Sequence, residues 1–129
     1  MDGARMRSPL GRAIGLGSAK EGADHWWMQR LTALALVPLS LWFVAAVIAH
    51  AGADYATFTD WVASPLVSVL LILTLVATFW HALYGVQVVI EDYVHTEAAK
   101  IALLVVLRFG CIALGLASVY AVLRIGFGG

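Results

Sequence analysis

Charge is scarce in this chain of 129 residues: eight Lys and Arg face eight Asp and Glu, 12% of all positions, for a formal net charge of zero. A soluble domain carries about twice that share of charged residues, so an ordinary water-exposed exterior is excluded. The few basic residues gather at one end of the chain, which leaves no broad basic field for nucleic acid. Cysteine is nearly missing. Cys111 stands alone inside an apolar run, so no internal disulfide and no cysteine-built metal or cluster site is possible. Also absent are a dinucleotide-binding glycine fingerprint, an internal repeat and a linker, which excludes a soluble flavin or nicotinamide domain within this chain.

What is abundant is apolar: 62% of residues are hydrophobic. A membrane span needs roughly 20 such residues, because a helix rises about 1.5 Å per residue and the hydrocarbon layer is about 30 Å thick. Three runs qualify, Leu31 to His50, Pro65 to Ile90 and Ile101 to Ile125. Lipid offers no partner for backbone N–H and C=O groups, and the runs lack the alternation of barrel strands. The pattern therefore predicts an all-α integral membrane protein. Its three transmembrane helices, 31–50, 65–90 and 101–125, follow an N-terminal segment 1–30 and precede a short tail 126–129. Pro38 removes one donor inside the first helix and can kink it, whereas Pro65 suits a helix start.

Arg5, Arg7, Arg12, Lys20 and Arg30 precede or open the first run, while the connection Ala51 to Ser64 has no Lys or Arg. This asymmetry predicts a cytoplasmic N-terminus, with Ala51 to Ser64 outside, Glu91 to Lys100 inside and the glycine-rich end outside. Arg124 runs against it and is expected to snorkel to the headgroups. The first run starts too late, and is too long, for a cleaved signal peptide, so the opening stretch is expected in the mature protein. Trp26, Trp27, Tyr55, Trp61 and Tyr93 flank the runs as interfacial aromatics do.

The residue least at home in lipid is His81, nine positions before the end of the second run and so about 14 Å from it along the axis. Imidazole cannot snorkel that far. Thr74, Thr78, His81, Tyr84, Gly85 and Val88 recur at three- and four-residue steps, a stripe that must meet protein or a cofactor. Gly85, one turn beyond His81, admits close approach by either a helix or a flat macrocycle. His81 thus reads either as an axial haem ligand or as a neutral histidine hydrogen-bonded to a Ser, Thr or carbonyl on a neighbouring helix. The remaining histidines, His25, His50 and His95, fall near the membrane faces, so a second iron ligand is expected from another subunit. At the inner end Glu91, Asp92 and Tyr93 collect, with His95 following. Acidic groups oppose a helix C-terminus, and a tyrosine beside a carboxylate suits a quinone carbonyl that must gain two protons. A solvated helix end is the plain alternative. Arg30 can meet a haem propionate or, equally, a lipid phosphate.

The stretch His81-Ala82-Leu83-Tyr84-Gly85-Val86-Gln87-Val88-Val89-Ile90-Glu91-Asp92-Tyr93 resembles the second-helix signature of small succinate dehydrogenase membrane anchors. Gly17-Ser18-Ala19-Lys20-Glu21-Gly22, with His25-Trp26-Trp27-Met28-Gln29-Arg30-Leu31-Thr32-Ala33, looks like the N-terminal motif of the bacterial members. With three spans the resemblance covers nearly the whole chain. It implies that His81 is one axial ligand of haem b, that Arg30 lies near the propionates, and that Tyr93, with Asp92 beside it, binds ubiquinone. It implies three partners: a flavoprotein carrying FAD, an iron–sulfur subunit, and a large cytochrome b subunit that supplies the other histidine. The expected setting is the bacterial inner membrane, the expected reaction electron transfer from succinate to ubiquinone. A quinol–fumarate reductase anchor would use the same fold in the reductive direction. A non-redox membrane subunit would instead hold His81 on a side chain and carry no haem, and three spans without inverted repeats argue against a transporter.

Overall fold

The computed structural model describes residues 17–128, all-helical apart from short connections. Arg5, Arg7 and Arg12, on which the predicted orientation chiefly leans, lie outside the described residues. Among the described residues four helices follow one another: α1 Gly17–Ala49, α2 Tyr55–Ala63, α3 Pro65–Tyr93 and α4 Glu97–Gly126. Three of them are long and apolar enough to cross a membrane, over Gly22–Ala49, Pro65–Tyr93 and Glu97–Gly126. Among the described residues there is no strand. The fold is the all-α, three-span architecture that the hydropathy implies.

The helices outrun the apolar runs, most of all at the start of α1. Nothing between Gly17 and Arg30 breaks a helix, so the hydrogen-bond ladder continues beyond the greasy segment and carries Trp26, Trp27 and Arg30 on helical spacing. Pro38 leaves α1 a single element. Pro65 occupies the first turn of α3, directly after Ser64, where its missing N–H costs no bond.

Helix α2 is an element that hydropathy alone passes over as a loop. Asp54 caps it, accepting from the Thr57 amide at 2.9 Å. The hydrogen bond from the Thr57 hydroxyl, then that from the amide, hold the Asp54 carboxyl below its ordinary value. Phe58, Trp61 and Val62, at three- and four-residue steps, form the apolar face, and Val62 is buried. Ser68 of α3 donates to the Val62 carbonyl, tying α2 to the head of the next span. At the same end His50 stacks on Trp61 with ring centroids 4.3 Å apart, its Nδ1 donating to the Ala46 carbonyl at 2.8 Å.

Helix α3 is central, packed against α1 on one side and α4 on the other. Very little is buried: Val62, Leu71, Ala77 and Ile90 among apolar residues, Thr32 among polar ones, and nothing in α4. Leu34, Leu41, Ile48, Val106, Phe109 and Leu116 point outward with about two-thirds or more of their surface free. Such a chain has no water-stable core of its own. Its faces are built for lipid tails and for other helices.

Candidate functional site

Helices α1 and α3 run antiparallel, and the N-terminal half of α1 meets the C-terminal half of α3 through polar side chains. Thr32 lies opposite His81, with Oγ1 and Nδ1 3.2 Å apart. The same hydroxyl is 2.8 Å from the Met28 carbonyl and 3.1 Å from that of Gln29. Thr32 is the one buried polar side chain among the described residues, 8% exposed. A turn further toward the C-terminus of α3, the bare face of Gly85 is covered by α1. A β-carbon built there would lie 3.6 Å from Gln29 Nε2. Of the two visitors that glycine admits, the helix is the one present on that face. Below it, His25 and Tyr84 bring their rings to 4.6 Å, and Trp80 joins Tyr84 at 5.9 Å.

Of the stripe expected on the second span, His81, Tyr84 and Gly85 therefore face α1, whereas Val88 is exposed. Thr74 and Thr78 do something else. They line a crevice of about 550 Å³ together with Ser40, Phe58, Val62 and Ser118, under the cover of α2. The Thr74, Ser40 and Ser118 hydroxyls donate to the Leu70, Val37 and Leu114 carbonyls of their own helices.

His81 sits mid-span and half-buried, and its hydrogen bond to Thr32 is made through Nδ1 alone. A threonine on a neighbouring helix is the very partner that the non-haem reading foresees, yet it engages only one ring nitrogen. Among the described residues Nε2 has no hydrogen-bond partner in this chain. No group of three or more His, Cys, Asp or Glu side chains comes together among those residues.

The other expected site residues lie on α1 and at the C-terminus of α3. Tyr93 ends α3, twelve residues past His81 and so about 18 Å along the axis, with 77% of its surface free. Asp92 is exposed beside it, while Glu91 accepts from Gln87 Nε2 at 3.1 Å. Of the two acids, Asp92 is thus the one left uncommitted by its own helix. Arg30 is exposed on α1, two residues from Thr32, with its guanidinium 5.2 Å above the Trp26 ring. The structure brings Arg30 to the depth of His81 and keeps Tyr93 and Asp92 apart from both. Sequence reasoning missed Thr32 and Gln29. Both belong to the quoted pre-helix motif, but their meaning rests on the register of two helices.

The model of the succinate dehydrogenase/fumarate reductase transmembrane subunit family matches residues 4–117. The chain belongs to this family. Within it, the succinate dehydrogenase hydrophobic membrane anchor subunit of Rickettsia bellii is 32% identical over 117 residues, covering 91% of this chain and 94% of the relative. The subunit of the same name from Paracoccus denitrificans is 30% identical over 124 residues, 96% of this chain and 95% of its own length. The succinate dehydrogenase membrane anchor subunit of Reclinomonas americana is 32% identical over 92 residues, 69% and 77% of the two chains. The family match spans α1, α2, α3 and most of α4, so this transmembrane subunit includes both polar sites within the shared region.

Proposed function

We propose that the chain is the small hydrophobic anchor of a bacterial succinate:ubiquinone oxidoreductase, multi-pass in the inner membrane with its N-terminus cytoplasmic. His81 gives one axial ligand to a shared haem b, and Tyr93 with Asp92 contributes to the ubiquinone site. The observation that carries this reading is a mid-span histidine tethered through Nδ1 with Nε2 left unpaired. It occurs in a chain about 30% identical to succinate dehydrogenase anchors along nearly its whole length.

The residues fit the haem. An axial ligand needs one imidazole nitrogen free to bind and the other held by an outer-shell group; Nδ1 of His81 lies 3.2 Å from Thr32 Oγ1 and Nε2 makes no hydrogen bond among the described residues, which supports that role. Arg30, within about 3 Å of the Thr32 level along α1, supplies a fixed positive charge for a propionate. A bound haem supplies a one-electron relay inside the bilayer. The second histidine comes from the large cytochrome subunit, and flavin and iron–sulfur clusters remain in the soluble partners.

At the inner end, the Tyr93 hydroxyl donates to a quinone carbonyl. Asp92, uncommitted and next to water, restores the proton. Ubiquinone gains two electrons and two protons there, and the cytoplasmic face is the proton source. This chain therefore holds the electron acceptor's end of the reaction and none of the succinate chemistry. The family description also covers fumarate reductases. The names of the full-length relatives favour the oxidative direction.

The deciding experiment is a reduced-minus-oxidised spectrum of the complex purified in mild detergent through this chain, with succinate as reductant. A succinate-reducible b-type band is the expected result. Absence of haem despite intact succinate–quinone reductase partners would overturn His81 as a ligand. Absence of such partners would overturn the anchor reading itself.

A further inference from the structure

We infer that Thr32 is a positioning residue that sets the tautomer, the ring orientation and the donor strength of His81. This inference rests on His81 being the haem ligand. A threonine hydroxyl has one proton to give and lone pairs to receive with. Two of the three polar atoms around Thr32 Oγ1, the Met28 and Gln29 carbonyl oxygens at 2.8 and 3.1 Å, can only accept. The hydroxyl proton therefore points back along α1. Toward His81 Nδ1, 3.2 Å away, the oxygen is left to accept. Nδ1 must then carry the ring proton, which puts the free lone pair on Nε2.

A back-bond from threonine to the carbonyl four residues earlier is common in helices and would mean little alone. Here the residue is also buried and reaches across to another helix, with Oγ1 3.2 Å from Nδ1. The consequence is chemical. An Nδ1–H donated to an oxygen holds the ring in one rotation about its metal bond and raises the basicity of Nε2, which favours the oxidised iron. A residue of α1 thereby tunes a ligand carried by α3. Met28 and Gln29, the quoted neighbours of Arg30, contribute only backbone carbonyls to this relay.

The test compares Thr32→Val, which keeps the shape and loses the acceptor, with Thr32→Ser, which keeps the acceptor. His81→Ala serves as the reference. All are made in the assembled complex, with subunit stoichiometry verified. In the Val variant the haem midpoint potential should move positive, and the ferric low-spin resonance signal should shift as the ring is released. Haem loss to an apo-protein scavenger should speed by roughly 10- to 100-fold, the usual cost of losing an outer-shell partner. The Ser variant should match the parent in all three. Should Val block assembly, Thr32→Ala provides the same comparison. A variant without the hydroxyl that keeps the parental potential and signal overturns the inference, as does a Ser variant altered as much as Val, since packing would then be the cause. Haem that stays bound with an unchanged spectrum in His81→Ala removes the ligand assignment beneath it. In that case the Thr32 inference falls for a different and recognisable reason.

Discussion

The two seams of α3 are made of opposite material. Toward α1, hydroxyl meets imidazole, amide covers glycine and phenol meets imidazole: Thr32 with His81, Gln29 with Gly85, His25 with Tyr84. Toward α4, a β-carbon built on Gly115 would lie 3.5 Å from the Phe79 ring. Leu75, Val76 and Leu83 there face Cys111, Ile112 and Val119 across an apolar cleft of about 370 Å³. In lipid, apolar side chains gain little by leaving tails as greasy as themselves, so shape alone holds the second seam. An interhelical hydrogen bond contributes only about 0.6 to 2 kcal/mol, but it has direction, and it fixes which residue faces which. The lesson is that the register of the bundle, and with it the candidate haem ligand, resides in the α1–α3 seam. The α3–α4 seam is replaceable by other close packing.

The sharpest way to break this contrast is His81→Ala against Cys111→Ala. The first should abolish the b-type band of the purified complex. The second, on the apolar seam, should leave the spectrum unchanged, and loss of haem in both would erase the distinction between seams. Next in size is Tyr93→Phe. Succinate-driven ubiquinone reduction should fall by about a hundredfold, the lower end of what a positioned proton donor contributes, while a soluble artificial acceptor is reduced at the parental rate. Equal loss of both activities would remove Tyr93 from the quinone site.

A smaller effect distinguishes the seams by size. A methyl at Gly85 or Gly115 meets its neighbour at 3.6 or 3.5 Å, ordinary contact, so both alanine variants should assemble. A leucine should cost about 1–3 kcal/mol of helix packing at either site. Only Gly85→Leu should also perturb the haem spectrum, because it displaces Gln29 next to Thr32. Smallest is the response of α2 to acid. The Asp54 carboxyl titrates lower in the folded chain than in the unfolded one. Its contribution is therefore whole above its ordinary value near 3.8 and is lost as pH falls through the depressed one. Exchange of the Thr57 amide should quicken below that range, and Asp54→Ala should quicken it above that range without altering the haem.

Much of this was legible before any coordinates. Three apolar runs fix three spans, because bilayer thickness and unsatisfied backbone groups leave no other form. His81 stood out because an ionisable ring in mid-span demands a partner. The start of α1 was not legible from hydropathy, since a helix needs no greasy face to continue into the interface. Helix α2 was hidden for a related reason: nine residues are too few to span, and its Asp54 cap and Phe58-Trp61-Val62 face register only when short helices are sought.

The sequence by itself determined that this chain is an all-α membrane protein and which side chains are out of place in lipid. Both follow from transfer energies that each residue carries with it. Only the tertiary structure decided which of those side chains meet. The Thr32–His81 pair joins residues 49 positions apart, and its existence depends on the rotation and antiparallel register of two helices. Those are properties of a packed pair, and no single helix contains them.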